Sequence, residues 1–178
     1  MFNFNEADEQ TSFDVIPAGT IVVLEMAIRP GGAGEGGCLK QSKNGDCYML
    51  DAEFTVLEGQ YAKRKIWANF TIEGQTEGHK KAAAISRSKL RAMLESAFGV
   101  KPSDKSKRAV AMRKVTGFGD FHGLRFIGKL GIEPSRDGYP ARNTILEIIT
   151  PEKPQWKQVS QAGSNVRMGR TSRKPARA

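Results

Sequence analysis

A five-stranded Greek-key barrel carrying one helix is the fold class that this sequence predicts, on three observations. Five β-rich runs are separated by turn signals. One segment of helical period falls between the third and fourth runs. The second and third runs can be paired so that their apolar faces agree. The order strand, strand, strand, helix, strand, strand is that of an OB-fold, so the expectation is a β domain (α+β by count), OB-fold-like, followed by a basic tail.

The first strand is Thr20 to Ile28, within "FDVIPAGTIVVLEMAIRP" (13–30) and announced by a Pro-Ala-Gly turn. The next stretch, "GGAGEGGCLKQSKNGD" (31–46), has too many glycines for a regular element, and Asn44-Gly45 is a turn signal. It reads as a long, mobile loop. "CYMLDAEFTVL" (47–57) alternates, with Tyr48, Leu50, Ala52, Phe54 and Val56 on one face. "EGQ" turns the chain into the third strand, "YAKRKIWANFTI" (61–72). Its inner face is Ala62, Arg64, Ile66, Ala68, Phe70 and Ile72; its outer face is Tyr61, Lys63, Lys65, Trp67, Asn69 and Thr71. A three-residue loop with Gly59 at positive φ sets Leu57 opposite Tyr61, Phe54 opposite Arg64 and Glu53 opposite Lys65.

"GHKKAAAISRSKLRAMLESAFG" (78–99) is the helix, with Ala83, Ser86, Leu90, Met93, Ala97 and Phe98 at helical spacing and Gly99 as its stop. The basic, glycine-punctuated segment that follows holds a short helix near 105–114. The last two strands are "LRFIGKLGI" (124–132) and "RNTILEIIT" (142–150), joined by "EPSRDGYPA". This divides the chain into an acidic flexible N-terminus (1–12), a domain (13–150), and a polar, aperiodic tail (151–178) that reads as disordered.

The net charge of +9 is unevenly placed. Glu6, Asp8, Glu9 and Asp14 stand without a base in residues 1–14, whereas residues 78–115 hold eleven Lys and Arg against Glu95 and Asp104. Concentrated basic charge points to a polyanion, nucleic acid first. No apolar run approaches the ~20 residues of a membrane span, the N-terminus lacks a secretory pattern, and Cys38 and Cys47 suit a reducing cytoplasm. No membrane partner is expected. Neither the cysteines nor the separated His79 and His122 have metal-ligand spacing, so no metal or cofactor is expected. "GGAGEGG" lacks the Lys-Ser/Thr and following helix of a phosphate loop. No acid, base and nucleophile converge in the sequence, so the expectation is a binding protein and not an enzyme.

OB-folds lay their ligand across strands 2 and 3, between the loop joining strands 1 and 2 and the loop joining strands 4 and 5. Single-strand binding needs positive charge for phosphates and flat rings for unstacked bases. Trp67 and Tyr61 supply rings, Lys63 charge, and Asn69 a hydrogen bonder for base edges. Lys65 is assigned to Glu53 as an ion-pair partner, and Arg64 to the barrel's rim. Lys40 and Lys43 in the glycine loop, with Arg136, Tyr139 and Arg142 from the last hairpin, complete the candidate site.

Several stretches carry a family resemblance: "FNFNEADEQTSFDVIPAGTIVVL", "SKNGDCYMLDAEFTVLEGQYAKRKIW", "AISRSKLRAMLESAFG" and "FHGLRFIGKLGIEPSRDGYPARNTI". Together they resemble a bacteriophage family long filed as a domain of unknown function and associated with single-stranded-DNA binding in replication and recombination modules. The resemblance covers residues 2–150, with "VLEGQYAKRKIW" as its signature. It implies single-stranded DNA as partner, bound largely without sequence preference in the host-cell cytoplasm, beside other phage replication and recombination proteins. Phage proteins of this class often end in an acidic tail, whereas this chain ends in "NVRMGRTSRKPARA". The alternative expectation is therefore a strand-annealing or recombination-mediator protein that uses the basic tail. A homo-oligomer is compatible with either.

Overall fold

The computed structural model describes residues 2–8 and 14–161. It holds one antiparallel sheet built from β1 (Ile21–Ile28), β2 (Lys40–Gln41), β3 (Cys47–Val56), β4 (Lys65–Gly74), β5 (Arg125–Glu133) and β6 (Arg142–Ile149). The helices α1 (Glu77–Phe98) and α2 (Lys107–Met112) lie between β4 and β5. Pairing runs β4–β3–β1–β5–β6, and the short β2 joins β3 beyond the end of β1. The order of long strands and main helix along the chain is the expected one, with β2 added, but the closed barrel is not formed: β4 and β6 lie side by side without pairing, and the sheet stays open. Lys89 and Met93 of α1 stand at this seam, and the β5–β6 pair carries a register shift between Lys129 and Leu130.

α1 forms where the apolar spacing places it. Thr76 caps it, its side chain accepting from the His79 N–H at 3.1 Å while His79 Nδ1 faces the Thr76 N–H at 3.5 Å. Gly99, at φ 65°, ends it and donates its N–H to the Glu95 carbonyl. Its buried stripe (Leu90, Met93, Leu94, Ala97, Phe98) packs into the concave side of the sheet. Phe54 is fully buried there, edge-on to Phe70 and Phe126 with ring centroids 6.2 and 5.8 Å apart.

The hairpin differs from expectation in its register. Glu53 faces Trp67, Phe54 faces Ile66 and Leu50 faces Phe70, two residues away from the predicted partners. The cause is a longer loop. Val56 exchanges hydrogen bonds with Lys63 and Arg64 (Lys63 N–H to Val56 O, 2.8 Å; Val56 N–H to Arg64 O, 2.9 Å), and Lys63 takes a positive φ of 69°. The strand therefore begins at Lys65, not at Tyr61. Because the slip is an even number of residues, each strand keeps its inner and outer faces. The glycine stretch also differs from the expected mobile loop. Ala33 bridges Leu39, Leu39 is buried in the core, and the chain then pairs as β2.

The disordered tail expected from Pro151 is corrected as far as Gln161. Val159 joins Val23, Ile127 and Ile149 in a second, smaller cluster on the convex side of the sheet, with Trp156 and Leu57 against it. The Trp156 indole donates to the Ser96 carbonyl at 2.9 Å, and the Gln161 amide accepts from and donates to the Arg125 backbone. A tryptophan, a valine and a glutamine are enough to hold a segment whose composition is otherwise polar. Residues 162–178 lie outside the described residues.

The basic 101–114 segment is pinned to α1 by charge. Buried Glu95 accepts from Arg91 Nε at 2.8 Å and Arg113 Nε at 2.7 Å, and Arg113 also donates to the Asp104, Lys101 and Pro102 carbonyls. Removing one member of such a cluster leaves buried charge uncompensated. Glu95→Ala is expected to lower unfolding free energy by about 3 kcal/mol in urea titration. A loss below about 1 kcal/mol would show that the cluster is not what holds this segment.

Candidate nucleic-acid interface

Alternation along β3 and β4 leaves Glu53, Lys65, Trp67 and Asn69 on the convex, solvent side while Phe54, Ile66 and Phe70 enter the core. Trp67 is 50% exposed, which is unusual for the largest apolar side chain in mid-strand. It is not loose. Its indole N–H donates to Glu53 Oε2 at 3.1 Å, and Glu53 Oε1 is bound by the Lys65 ammonium. One carboxylate thus orients the ring and neutralises the neighbouring lysine. Asp51 stands two pairs further along, opposite Asn69, with Arg29 at 3.7 Å. Glu53 and Asp51 therefore both have cationic partners.

The open seam brings a second strand to the same place. Trp67, Asn69 and Phe70 from β4, Lys89 and Met93 from α1, and Arg142, Thr144 and Ile145 from β6 line a pocket of about 210 Å³. Arg142 pairs with Glu133 at 2.6 Å and also borders the concavity lined by Arg136 and Tyr139. Those two residues flank the tip of the β5–β6 hairpin, where Asp137 (φ 49°) and Gly138 (φ 80°) make a tight turn. Tyr139 is 77% exposed and Arg136 is paired with Asp137. Trp67, Asn69, Arg142, Arg136 and Tyr139 thus border two adjoining concavities that share Arg142.

The other candidates lie elsewhere. Tyr61 falls in the hairpin loop, half-buried against the main core, which corrects its expected place beside Trp67. Lys63 is exposed in the same loop. Arg64 is half-buried at the end of that loop, and its guanidinium donates to the Asp14 carbonyl at 2.7 Å. Lys40, on β2 opposite Met49, borders a concavity with Arg29 and Asp51, and Lys43 is exposed in the turn beyond it. Sequence reading missed Lys89 and Thr144. Thr144 shares alternation with Arg142, and Lys89 precedes buried Leu90 on α1, so each carried a periodicity signal but no chemical one.

Both histidines have local structural partners: His79 in the α1 cap, and His122 Nδ1 accepting the Ile28 N–H at 3.2 Å. Among the described residues no group of three or more His, Cys, Asp or Glu could hold a metal ion, and no helix is long and apolar enough to cross a membrane. The chain matches no protein-family model, no curated protein and no solved structure.

The hydrogen bond from Lys65, opposed by slight desolvation and helped by the indole N–H and Arg29, holds the Glu53 carboxyl below its ordinary value. A carboxylate favoured by the fold keeps its contacts above the unfolded value and loses them as pH falls through the lowered one. The Trp67 indole N–H resonance is therefore expected to titrate with a midpoint below the ordinary glutamate value of about 4.3. Glu53→Gln should abolish the transition. A midpoint above the ordinary glutamate value would contradict the tether.

Proposed function

We propose that this protein binds single-stranded DNA, largely without sequence preference, along the convex face of β3–β4, the β4–β6 seam and the β5–β6 hairpin. The observation that carries the reading is Trp67: a half-exposed ring, fixed by Glu53, beside a seam bordered by Lys89 and Arg142. Every base offers a face to a ring, and phosphates need only positive charge, so this pairing tolerates any sequence. The strand path β4–β3–β1–β5–β6 supports an OB-fold-like reading in which the ligand crosses the second and third long strands. The resemblance to the phage single-strand-binding family supports the same partner and suggests a place in phage replication or recombination.

The convex side of β1, β5 and β6 is a poorer candidate, because Trp156 and Val159 cover it. The basic 101–114 lobe is packed at the C-terminal end of α1 and borders neither concavity.

Anisotropy titration of a labelled single strand tests the proposal. Trp67→Ala is expected to cost about 1–3 kcal/mol of binding free energy. With about five phosphates neutralised, log affinity should fall with log salt at a slope of roughly −3.5. A flat salt response, or tighter binding of duplex, would contradict it.

A further inference from the structure

The seam pocket combines an apolar wall with a polar rim. Its inner wall is apolar and buried: Phe70 at 4% exposure, Met93 at 0% and Ile145 at 8%. Its rim is polar, with the Asn69 amide, the Thr144 hydroxyl and the Lys89 ammonium. None of these three side chains makes a hydrogen bond or ion pair with another described residue. An apolar wall with a few convergent polar groups is the composition of a pocket for a compact ring, not of a track for a continuous backbone. The pocket exists because the sheet is open; pairing of β4 with β6 would bring the two rims together.

From this geometry we infer that the seam pocket takes one unstacked nucleobase. It rests on the apolar floor that Ile145 and Phe70 present over buried Met93, its polar edge meets Asn69 and Thr144, and Lys89 and Arg142 meet the flanking phosphates. The inference rests on the single-strand reading and adds to it a single position of base recognition within an otherwise sequence-tolerant footprint. An amide presents a donor and an acceptor side by side, the pattern that matches the N6 and N7 edge of adenine, so adenine is the preferred occupant. Trp67, bordering the same pocket, would stack the neighbouring base and leave the chain kinked at the seam.

Two probes separate this inference from the reading beneath it. The first is deoxyadenosine monophosphate, added to protein labelled at the Ile and Met methyl groups and followed by NMR. The second is an oligothymidylate carrying one central adenine, compared with the same strand carrying an abasic site there. The expected results are shifts at the Ile145 and Met93 methyls and affinity about 5- to 100-fold weaker for the abasic strand. Thr144→Val and Asn69→Ala should each bring that affinity ratio toward one. If both strands bind equally and the mononucleotide moves neither methyl, the pocket assignment is overturned while single-strand binding stands. If no strand binds but the mononucleotide shifts both methyls, the pocket stands and the single-strand reading falls. Absence of both effects overturns both.

Discussion

Lys63 stands at φ 69° and donates its N–H to Val56, and that closure sets which residue of β4 lies opposite which residue of β3. Through it Glu53 meets Trp67 instead of Lys65, and one carboxylate can hold both the indole and the ammonium. A slip of one residue would carry Phe70 and Ile66 to solvent and Trp67 to the core, at a cost of several buried apolar side chains worth about 1.5–3 kcal/mol each. The same register holds Phe70 edge-on to Phe54, the ring that also meets Phe126 of β5. The loop, the core and the exposed face are consequences of one pairing.

The two convex surfaces of the sheet have different fates. Over β1, β5 and β6, the segment ending at Gln161 lays Trp156 and Val159 on Val23, Ile127 and Ile149, and that surface becomes interior. Over β3 and β4 nothing described covers the sheet, and an aromatic ring with paired charges is left in solvent. The open seam then adds depth where a closed barrel would offer only a surface. α1 supplies part of its wall, so the helix that completes the core also shapes the site.

Much of this was legible in the sequence, and the misses have physical causes. The long strands and α1 carry strong apolar periodicity, and their limits fall within a few residues of those expected. The faces of β3 and β4 were readable because alternation survives an even slip. Their partners were not, because the loop depends on a lysine in a left-handed conformation that no composition rule favours. β2 was hidden by the glycines around it; only Leu39 distinguishes the stretch from a free loop. Trp156 and Val159 were lost in a polar background, since two anchors make no period. In the site, Trp67, Asn69 and Arg142 were found from strand position and residue type. Lys89 and Thr144 become neighbours only through the approach of α1 and β6 to β4, a tertiary relation that no local pattern encodes.

A bound strand is proposed to cross the β3–β4 face and the seam. Photocrosslinking with iododeoxyuridine-substituted single strands, followed by mass spectrometry of the linked peptides, tests it most directly. Trp67 and Trp156 serve as an internal contrast, one exposed on the proposed path and the other packed on the covered side. Linkage is expected at Trp67 and Tyr139 and not at Trp156. Linkage confined to the 101–114 lobe or to the Trp156 side, with Trp67 unmodified, would contradict it.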